Sequence, residues 1–431
     1  MSRKKETYRV VIVGGGFGGL NAARNLNDKN IGVTIIDRQN HHLFQPLLYQ
    51  VAMGALSPAD IASPLRYILR KRKNTKVIMG EVRDFDPENK KVFFDNGEIA
   101  YDALVVAAGS THHYFGNDDW GVRAPGLKTI EDAVIIRSRV LRAFEAAERE
   151  RDPEAIKSAL TFVIVGGGPT GVELAGALRE IAADTLKGDF RHVKTEESRI
   201  ILVEGTGRML PTYPERLSTR TEDRLRRIGV ETRTGCLVTG MSETEVVIRC
   251  GADEEVVPAR NVIWAAGVKA SPLGARLAEV TGAEIDRAGR LVVNNDLTLP
   301  GYPDIFVIGD MALCRDDRGE PLPGLAAVAR QQGLYIARAL KKRVRGKDYK
   351  PFRYLDLGSM ATIGKAAAVV NFGWLKLAGY IAWLIWLFVH LMYVVEFENR
   401  LLVLFQWAWS YVTGNRSARL ITDYSKWHVD K

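Results

Sequence analysis

Residues 8–20, YRVVIVGGGFGGL, decide how the rest of the chain is read. Val10 to Val13 are all β-branched and uncharged, the pattern of a strand buried on both faces of a parallel sheet. Gly14, Gly16 and Gly19 follow at G-x-G-x-x-G spacing, which gives a tight turn, a close approach to a pyrophosphate and room for a helix to pack on the strand. Residues 21–27 read as helix and 33–36 as a second strand, closed by Asp37 where a carboxylate accepts hydrogen bonds from ribose hydroxyls. Clustered glycine alone would leave a nucleotide-free turn open. The strand, the helix and the acid together predict a dinucleotide crevice.

The same theme returns further along. Residues 160–165 form a second apolar run, followed by GGGPTG with Gly166, Gly168 and Gly171, then VELAGALREIA. Residues 199–203 supply the next strand and Glu204 its terminal acid, with the polar stretch 187–198 read as an insertion. Glu204 would bind a free 2′-hydroxyl and repel a 2′-phosphate, favouring NADH over NADPH, while nearby Arg208 tempers that preference. Each half also carries an antiparallel insertion: 77–85 and 91–94 with the turn Asp95-Asn96-Gly97 in the first, 228–234, 245–249 and 256–257 in the second. Each then returns to a buried strand that runs into small residues, Ala108-Gly109 and Ala266-Gly267. Strands at 291–294 and 304–308 end in Gly309-Asp310, an acid placed to hydrogen-bond a ribityl chain or to cap the next segment, and residues 321–333, PLPGLAAVARQQG, open a helix of small residues that admits a flat ring.

These readings predict an α/β protein with two Rossmann-like dinucleotide-binding domains and a C-terminal helical membrane-attachment region. The first domain is discontinuous (1–120 and 286–345), the second is inserted (121–285), and the tail runs from 346 to 431. The 431 residues, 46% hydrophobic and 26% charged, suffice for a large core. Cys236, Cys250 and Cys314 show no C-x-x-C and no paired spacing, so neither a disulfide nor a thiol redox site is expected, and a reducing compartment fits. No metal-ligand spacing is present, and the opening residues show no apolar run of signal-peptide length.

The net charge of +9 fits nucleic acid, an anionic membrane or a basic exterior, and its position decides. Lys341, Lys342, Arg343, Arg345, Lys347, Lys350 and Arg353 precede the apolar run 377–395, LAGYIAWLIWLFVHLMYVV, and a second run at 401–413. Trp374, Trp383, Trp386, Trp407 and Trp409 suit headgroup depth, and basic residues beside such runs suit an anionic leaflet. Nineteen residues approach the length of one transmembrane helix, but Gly379, Trp383, Trp386 and His390 share a helical face, which favours monotopic attachment. A buried helix pair in a homodimer interface stays open.

The order of motifs resembles the type II (non-proton-pumping) NADH:quinone oxidoreductases, two-dinucleotide-binding-domain flavoproteins. The likeness rests on VVIVGGGFGGL, HHLFQPLLYQVA, LVVAAGS, TFVIVGGGPTGVELAGAL, VIWAAGV, IFVIGD, Gln331-Gln332-Gly333 and the tail from FRYLDLGSMATIGKAAAV to FENRLLVLFQWAWSY. It implies bound FAD on Gly14, Gly16, Phe17, Gly19, Asp37, Arg38, Val82, Ala108, Gly109, Gly309 and Asp310. It implies NADH on Gly166, Gly168, Gly171, Glu204, Ala266 and Gly267. It makes Glu173 an acid near the nicotinamide and flavin, against the plain reading of a favourable charge in a helix first turn. Residues 41–56, broken by Pro46 and Gly54, read equally as a loop and short helix over a flavin or as ordinary core packing of a helix end.

Gln331 and Gln332 are the implied catalytic residues of the quinone site, although Ala327 stands where many relatives carry glutamine, so the headgroup contacts do not transfer. The partners implied are a quinone in the bilayer and the anionic cytoplasmic face of the cell membrane. An NADPH-using demethylphylloquinone-type reductase remains an alternative. Sulfide:quinone oxidoreductases and disulfide reductases fail on cysteine placement. A flavin-containing redox sensor or nucleic-acid-binding protein is the reading from another class, but the charges gather on no nucleic-acid motif, so no nucleic-acid partner is expected.

Overall fold

The computed structural model describes residues 7–416 and 418–422; the opening six residues, which bear on the leader reading, lie outside it. The chain forms two compact units. One comprises Met1–Leu43, Ala62–Thr111 and Val268–Leu357; the other comprises Phe44–Ile61, His112–Gly267 and Gly358–Lys431.

In the first unit Tyr8–Val13 is the hub of a six-stranded sheet. It pairs in parallel with Ile31–Asp37 on one side and Ala103–Val106 on the other, and Thr75–Met79 and Tyr302–Val307 extend the sheet outward before Thr298–Leu299 closes one edge antiparallel. Val10 to Val13 are buried, as a strand covered on both faces requires. The Phe17–Asn25 helix packs tightly on Ala326–Val344 because glycines meet there: a Cβ on Gly333 would collide with the Gly18 carbonyl. The expected strand 77–85 is divided. Thr75–Met79 stays in the parallel sheet, while Val82–Asp86 leaves after Gly80 to join Lys91–Phe94 and Gly97–Ala100 in an antiparallel sheet. Alternation cannot see such a change of sheet, because both pieces keep the same period.

In the second unit four parallel strands run in the order Val230–Thr234, Arg199–Glu204, Thr161–Val165, Asn261–Trp264. Thr161–Val165 is buried at every position. The Ile130–Arg149 helix starts on a capping box, with Thr129 Oγ1 accepting from the Asp132 N–H and the Asp132 carboxylate accepting from the Thr129 N–H. The antiparallel sheet Cys236–Met241, Glu245–Cys250, Asp253–Pro258 overturns one expectation, because Cys236 and Cys250 are joined by a disulfide with their Cα atoms 4.2 Å apart. Their 14-residue separation shows no motif along the chain, yet the hairpin register sets the two residues directly opposite each other. The reducing-compartment expectation thereby loses its premise.

The tail supplies a three-stranded antiparallel sheet, Ser359–Thr362, Ala368–Asn371 and Lys376–Gly379, and two helices, Tyr380–Tyr393 and Phe397–Thr413. The 377–395 run is therefore divided. Its first residues pair with Ala368–Asn371, and Gly379, at φ +94°, turns the chain into the helix from outside it. The remaining helix has 14 residues, about 21 Å against a hydrocarbon core of ~30 Å. Among the described residues no helix is long and apolar enough to cross a membrane.

Candidate functional site

The first glycine turn is built from backbone. Gly14 sits at φ +102°, and a Cβ there would meet the Ala107 carbonyl; a Cβ on Gly19 would meet the Gly14 carbonyl. Gly16, the N-cap of Phe17–Asn25, has open space where its Cβ would be and no side-chain cap, so the helix presents free N–H groups to that space. Asp37 is pinned by two backbone donors, Gly15 N–H at 2.5 Å and Gln39 N–H at 2.7 Å. Burial raises its carboxyl above the usual range despite those bonds. His42 donates from Nδ1 to the Gly15 carbonyl at 2.9 Å and is kept neutral by burial, which lowers it to about 4. The Phe17 ring packs edge-on against it, 5.1 Å between centroids.

At the neighbouring strand ends Ala108 and Gly109 are half-buried, and open space again lies at the Gly109 Cβ position. Asp310 accepts from Ser110 Oγ at 2.6 Å, and the Gly309 N–H donates to the buried Gln332 Oε1 at 2.7 Å. Gln332 thus ties the Asp310 turn to the Ala326–Val344 helix. Gln331 instead brackets the backbone of Leu355, donating to its carbonyl and accepting from its N–H. Ala327 is in the first turn of the same helix and half-buried. Of the remaining residues, Arg38 is exposed and the Val82 side chain belongs to the core. An FAD adenosine and pyrophosphate fit this cradle: bare glycines, free helix N–H groups and a fixed carboxylate are what the group's phosphates and ribose require.

The second turn repeats the geometry. Gly166 lies at φ +108° against Ala265, a Cβ on Gly171 would meet the Gly166 carbonyl, and Gly168 has open space around it as N-cap of Pro169–Glu180. Glu204 accepts from Gly167 N–H at 2.6 Å and Thr206 N–H at 2.8 Å. Arg208 is turned away to its own loop, its Nη2 donating to the Pro211 carbonyl at 2.9 Å. Ala266 is half-buried and Gly267, at φ +66°, is exposed beside the Phe115 ring.

Glu173 is buried on Pro169–Glu180, and burial pushes its carboxyl up to about 8 although the Thr362 N–H favours the ionised form. It lines a cavity of about 110 Å³ within the second unit. The other walls come from Tyr49 and Gln50, from Thr362, and from Trp383, Trp386, Trp407 and Tyr411 of the two tail helices. Arg416 closes it, buried, with hydrogen bonds to the Met53 and Ala177 carbonyls and an ion pair to Glu180. The five tryptophans expected at headgroup depth therefore divide. Trp374 and Trp409 are exposed, while Trp386 is 2% exposed and stacks on His390 at 4.3 Å. Tyr49, Gln50, Thr362 and Arg416 went unread as site residues. The available signal was polar side chains inside apolar runs, Tyr49-Gln50 between Leu48 and Val51 above all.

Cys314 is buried, and burial raises its thiol to about 11. With Cys236 and Cys250 in a disulfide, none of the three is a thiolate nucleophile.

The family described as pyridine nucleotide-disulphide oxidoreductase matches residues 8–333, and the NDH2 C-terminal domain matches 357–416. A type II NADH:quinone oxidoreductase Ndh of Mycobacterium tuberculosis is 43% identical, covering 96% of this chain and 90% of its own. NdhA of the same organism is 44% identical, covering 96% and 89%. The solved structure of NDH2 from Plasmodium falciparum in complex with NADH shares the fold at 19% identity, with a TM-score of 0.86 over 97% of this chain and all of that one.

Proposed function

The chain belongs to the type II NADH:quinone oxidoreductases, membrane-associated flavoenzymes, and we propose here which of its residues perform which part of that reaction. It transfers two electrons from NADH through FAD to a quinone, without pumping protons. FAD, when bound, supplies the capacity to accept a hydride and to release its electrons to a different acceptor.

Gly14, Gly16 and Gly19 would bring backbone to the FAD pyrophosphate, Asp37 would accept from its ribose, and Asp310, oriented by Ser110 and by the Gly309–Gln332 bond, would accept from the ribityl chain. Gly166, Gly168 and Gly171 would do the same for NADH, with Glu204 on the ribose and Ala266 and Gly267 leaving room at the strand end. Gln331 and Gln332 act by fixing backbone, since both ends of the Gln331 carboxamide and Oε1 of Gln332 are committed to main-chain partners. The tail helices lie in the interface of an anionic membrane, on the cytoplasmic face. Their outward residues Ile381, Phe388, Phe397, Phe405 and Val412 are 63–82% exposed, an apolar surface that water does not favour.

The overall conversion is NADH + H⁺ + quinone → NAD⁺ + quinol. The quinone gains two electrons and two protons and becomes the quinol. Glu173 holds one of those protons, and the observation that carries this reading is a buried, neutral carboxyl lining a cavity walled by the tryptophans of the tail helices. The sign follows from its raised value: the acid is protonated below about pH 8 and loses that proton above it. The quinone half-reaction should therefore be fast at neutral pH and fall through pH 8. In stopped-flow measurements, Glu173→Gln should leave the NADH half-reaction intact, slow quinone turnover by about 10²-fold and flatten this pH dependence. Wild-type quinone rates at every pH in that variant would sink the assignment. The same experiment run with NADPH and with several quinones would establish nucleotide preference and acceptor.

A further inference from the structure

A string of hydrogen bonds runs from the tail to Glu173. Trp407 Nε1–H donates to Gln50 Oε1 at 2.6 Å, Gln50 Nε2–H donates to Tyr49 Oη at 3.0 Å, and Tyr49 Oη lies 3.1 Å from Thr362 Oγ1. The Thr362 N–H then reaches the Glu173 carboxyl. Gln50 donates to Tyr49 Oη, and in the Tyr49–Thr362 bond either hydroxyl can be the donor. A carboxamide between two partners does not pass protons on, so the string is a bracket and not a wire.

We propose that Trp407 and Gln50 are positioning residues for Glu173, acting through Tyr49 and Thr362, so that the seating of the Phe397–Thr413 helix governs the proton-holding group of the quinone half-reaction. The inference rests on Glu173 having the role assigned above. The orientation of Gln50 depends on the indole donor: without it the carboxamide is free to turn over, which sets Oε1 against Tyr49 Oη and reverses the order of donors and acceptors passed on to Thr362 beside Glu173. Trp407 is the inward member of a helix whose neighbours Phe405 and Trp409 are 70% and 64% exposed. One helix thus offers an apolar face to a lipid surface and a single indole N–H to the site.

The groups facing Glu173 are few. Tyr49 and Tyr213 are both held protonated by burial, and Glu180 is paired with Arg416 across the same cavity that Lys365 lines. The Thr362 N–H is the hydrogen bond that favours the ionised carboxylate, so loosening it raises the carboxyl further.

The test is the pH profile of quinone-dependent flavin reoxidation in the holoenzyme, for wild type, Trp407→Phe, Gln50→Leu, the double variant and Glu173→Gln. Trp407→Phe removes the donor and keeps an aromatic ring, smaller than the indole, and Gln50→Leu removes the acceptor at nearly constant volume. Both single variants should retain flavin and wild-type reduction by NADH, which reports folding. Their alkaline limb should move up by on the order of half a pH unit, and the double variant should move no further than either single one. A limb that stays in place or moves down in both single variants overturns the inference. If Glu173→Gln itself keeps the wild-type limb, the failure lies with the assignment of Glu173 and not with the bracket.

Discussion

The two glycine turns are nearly the same object built twice, and what separates them lies in side chains. Gly14 and Gly166 share positive φ angles of +102° and +108°, Gly19 and Gly171 each back onto the carbonyl of the first glycine, and the acids Asp37 and Glu204 each take the N–H of the middle glycine at 2.5 and 2.6 Å. The carbonyl of that middle glycine is satisfied differently. In the first turn a buried neutral imidazole, His42, covers it; in the second the Leu210 N–H does. Five residues past each N-cap the contrast is sharper: Asn21 bonds back to the Phe17 carbonyl of its own helix, whereas Glu173 is buried with its proton. Backbone constraints fixed the repeated part, because a pyrophosphate leaves no room for anything else. The positions free of that constraint diverged, and one of them became chemistry.

The most severe way to break the comparison is to fill the glycine whose missing side chain lets each helix sit on its strand. Gly19→Ala and Gly171→Ala both drive a methyl into a carbonyl. If one turn keeps its dinucleotide and the other only receives a visitor, the consequences differ. Gly19→Ala should purify without the flavin absorbance band, while Gly171→Ala should remain yellow and fail to bleach on addition of NADH. Two variants that lose flavin alike would mean the turns are not specialised as described.

A smaller effect separates the two antiparallel insertions. In the first unit Val82–Asp86 is held to the Pro272–Thr281 helix by Arg276 donating to both oxygens of Asp84, at 2.8 and 2.9 Å, partly exposed. Solvent screens such a pair, so it contributes little. In the second unit the Cys236–Cys250 disulfide closes a loop of 14 residues, for which chain entropy alone gives about 3 kcal/mol. Cys236→Ser/Cys250→Ser should therefore lower the unfolding free energy by about 2–3 kcal/mol in denaturant titrations, and Asp84→Ala by less. Equal losses would place the stabilisation of both sheets in packing.

How much of this was legible in the sequence follows from the range of the forces involved. The turns were legible because a steric demand on a few consecutive residues writes itself as glycine spacing, and the buried strands because burial on both faces removes every charge. What escaped depends on partners far along the chain. Cys250 is opposite Cys236 only because a hairpin register puts it there. Residues 377–379 look helical until Ala368–Asn371 claims them as a strand. Trp407 looks like an interfacial tryptophan until Gln50, 357 residues away, accepts its N–H. The family resemblance singled out Glu173, on the helix after the second turn. That its carboxyl is buried among tail tryptophans required the fold.

The finest distinction between the turns is the choice of acid. Glu204 spends one lone pair of each oxygen on backbone donors and keeps the others for a ribose, so its removal costs a charge-assisted contact to the nucleotide and also frees the Gly167 and Thr206 N–H groups. Glu204→Ala should raise KM for NADH by about tenfold, equivalent to ~1.4 kcal/mol, and relax the rejection of NADPH by at least as much, because the negative charge facing a 2′-phosphate is gone. Steady-state kinetics with both nucleotides measure it. Arg208 is the competing determinant, but its guanidinium is committed to the Pro211 carbonyl, so Arg208→Ala should change the NADH to NADPH ratio little. If instead Glu204→Ala leaves the ratio unmoved and Arg208→Ala shifts it, nucleotide choice resides in the loop after the second strand and not in the acid that ends it. The symmetry with Asp37 would then be one of backbone architecture alone.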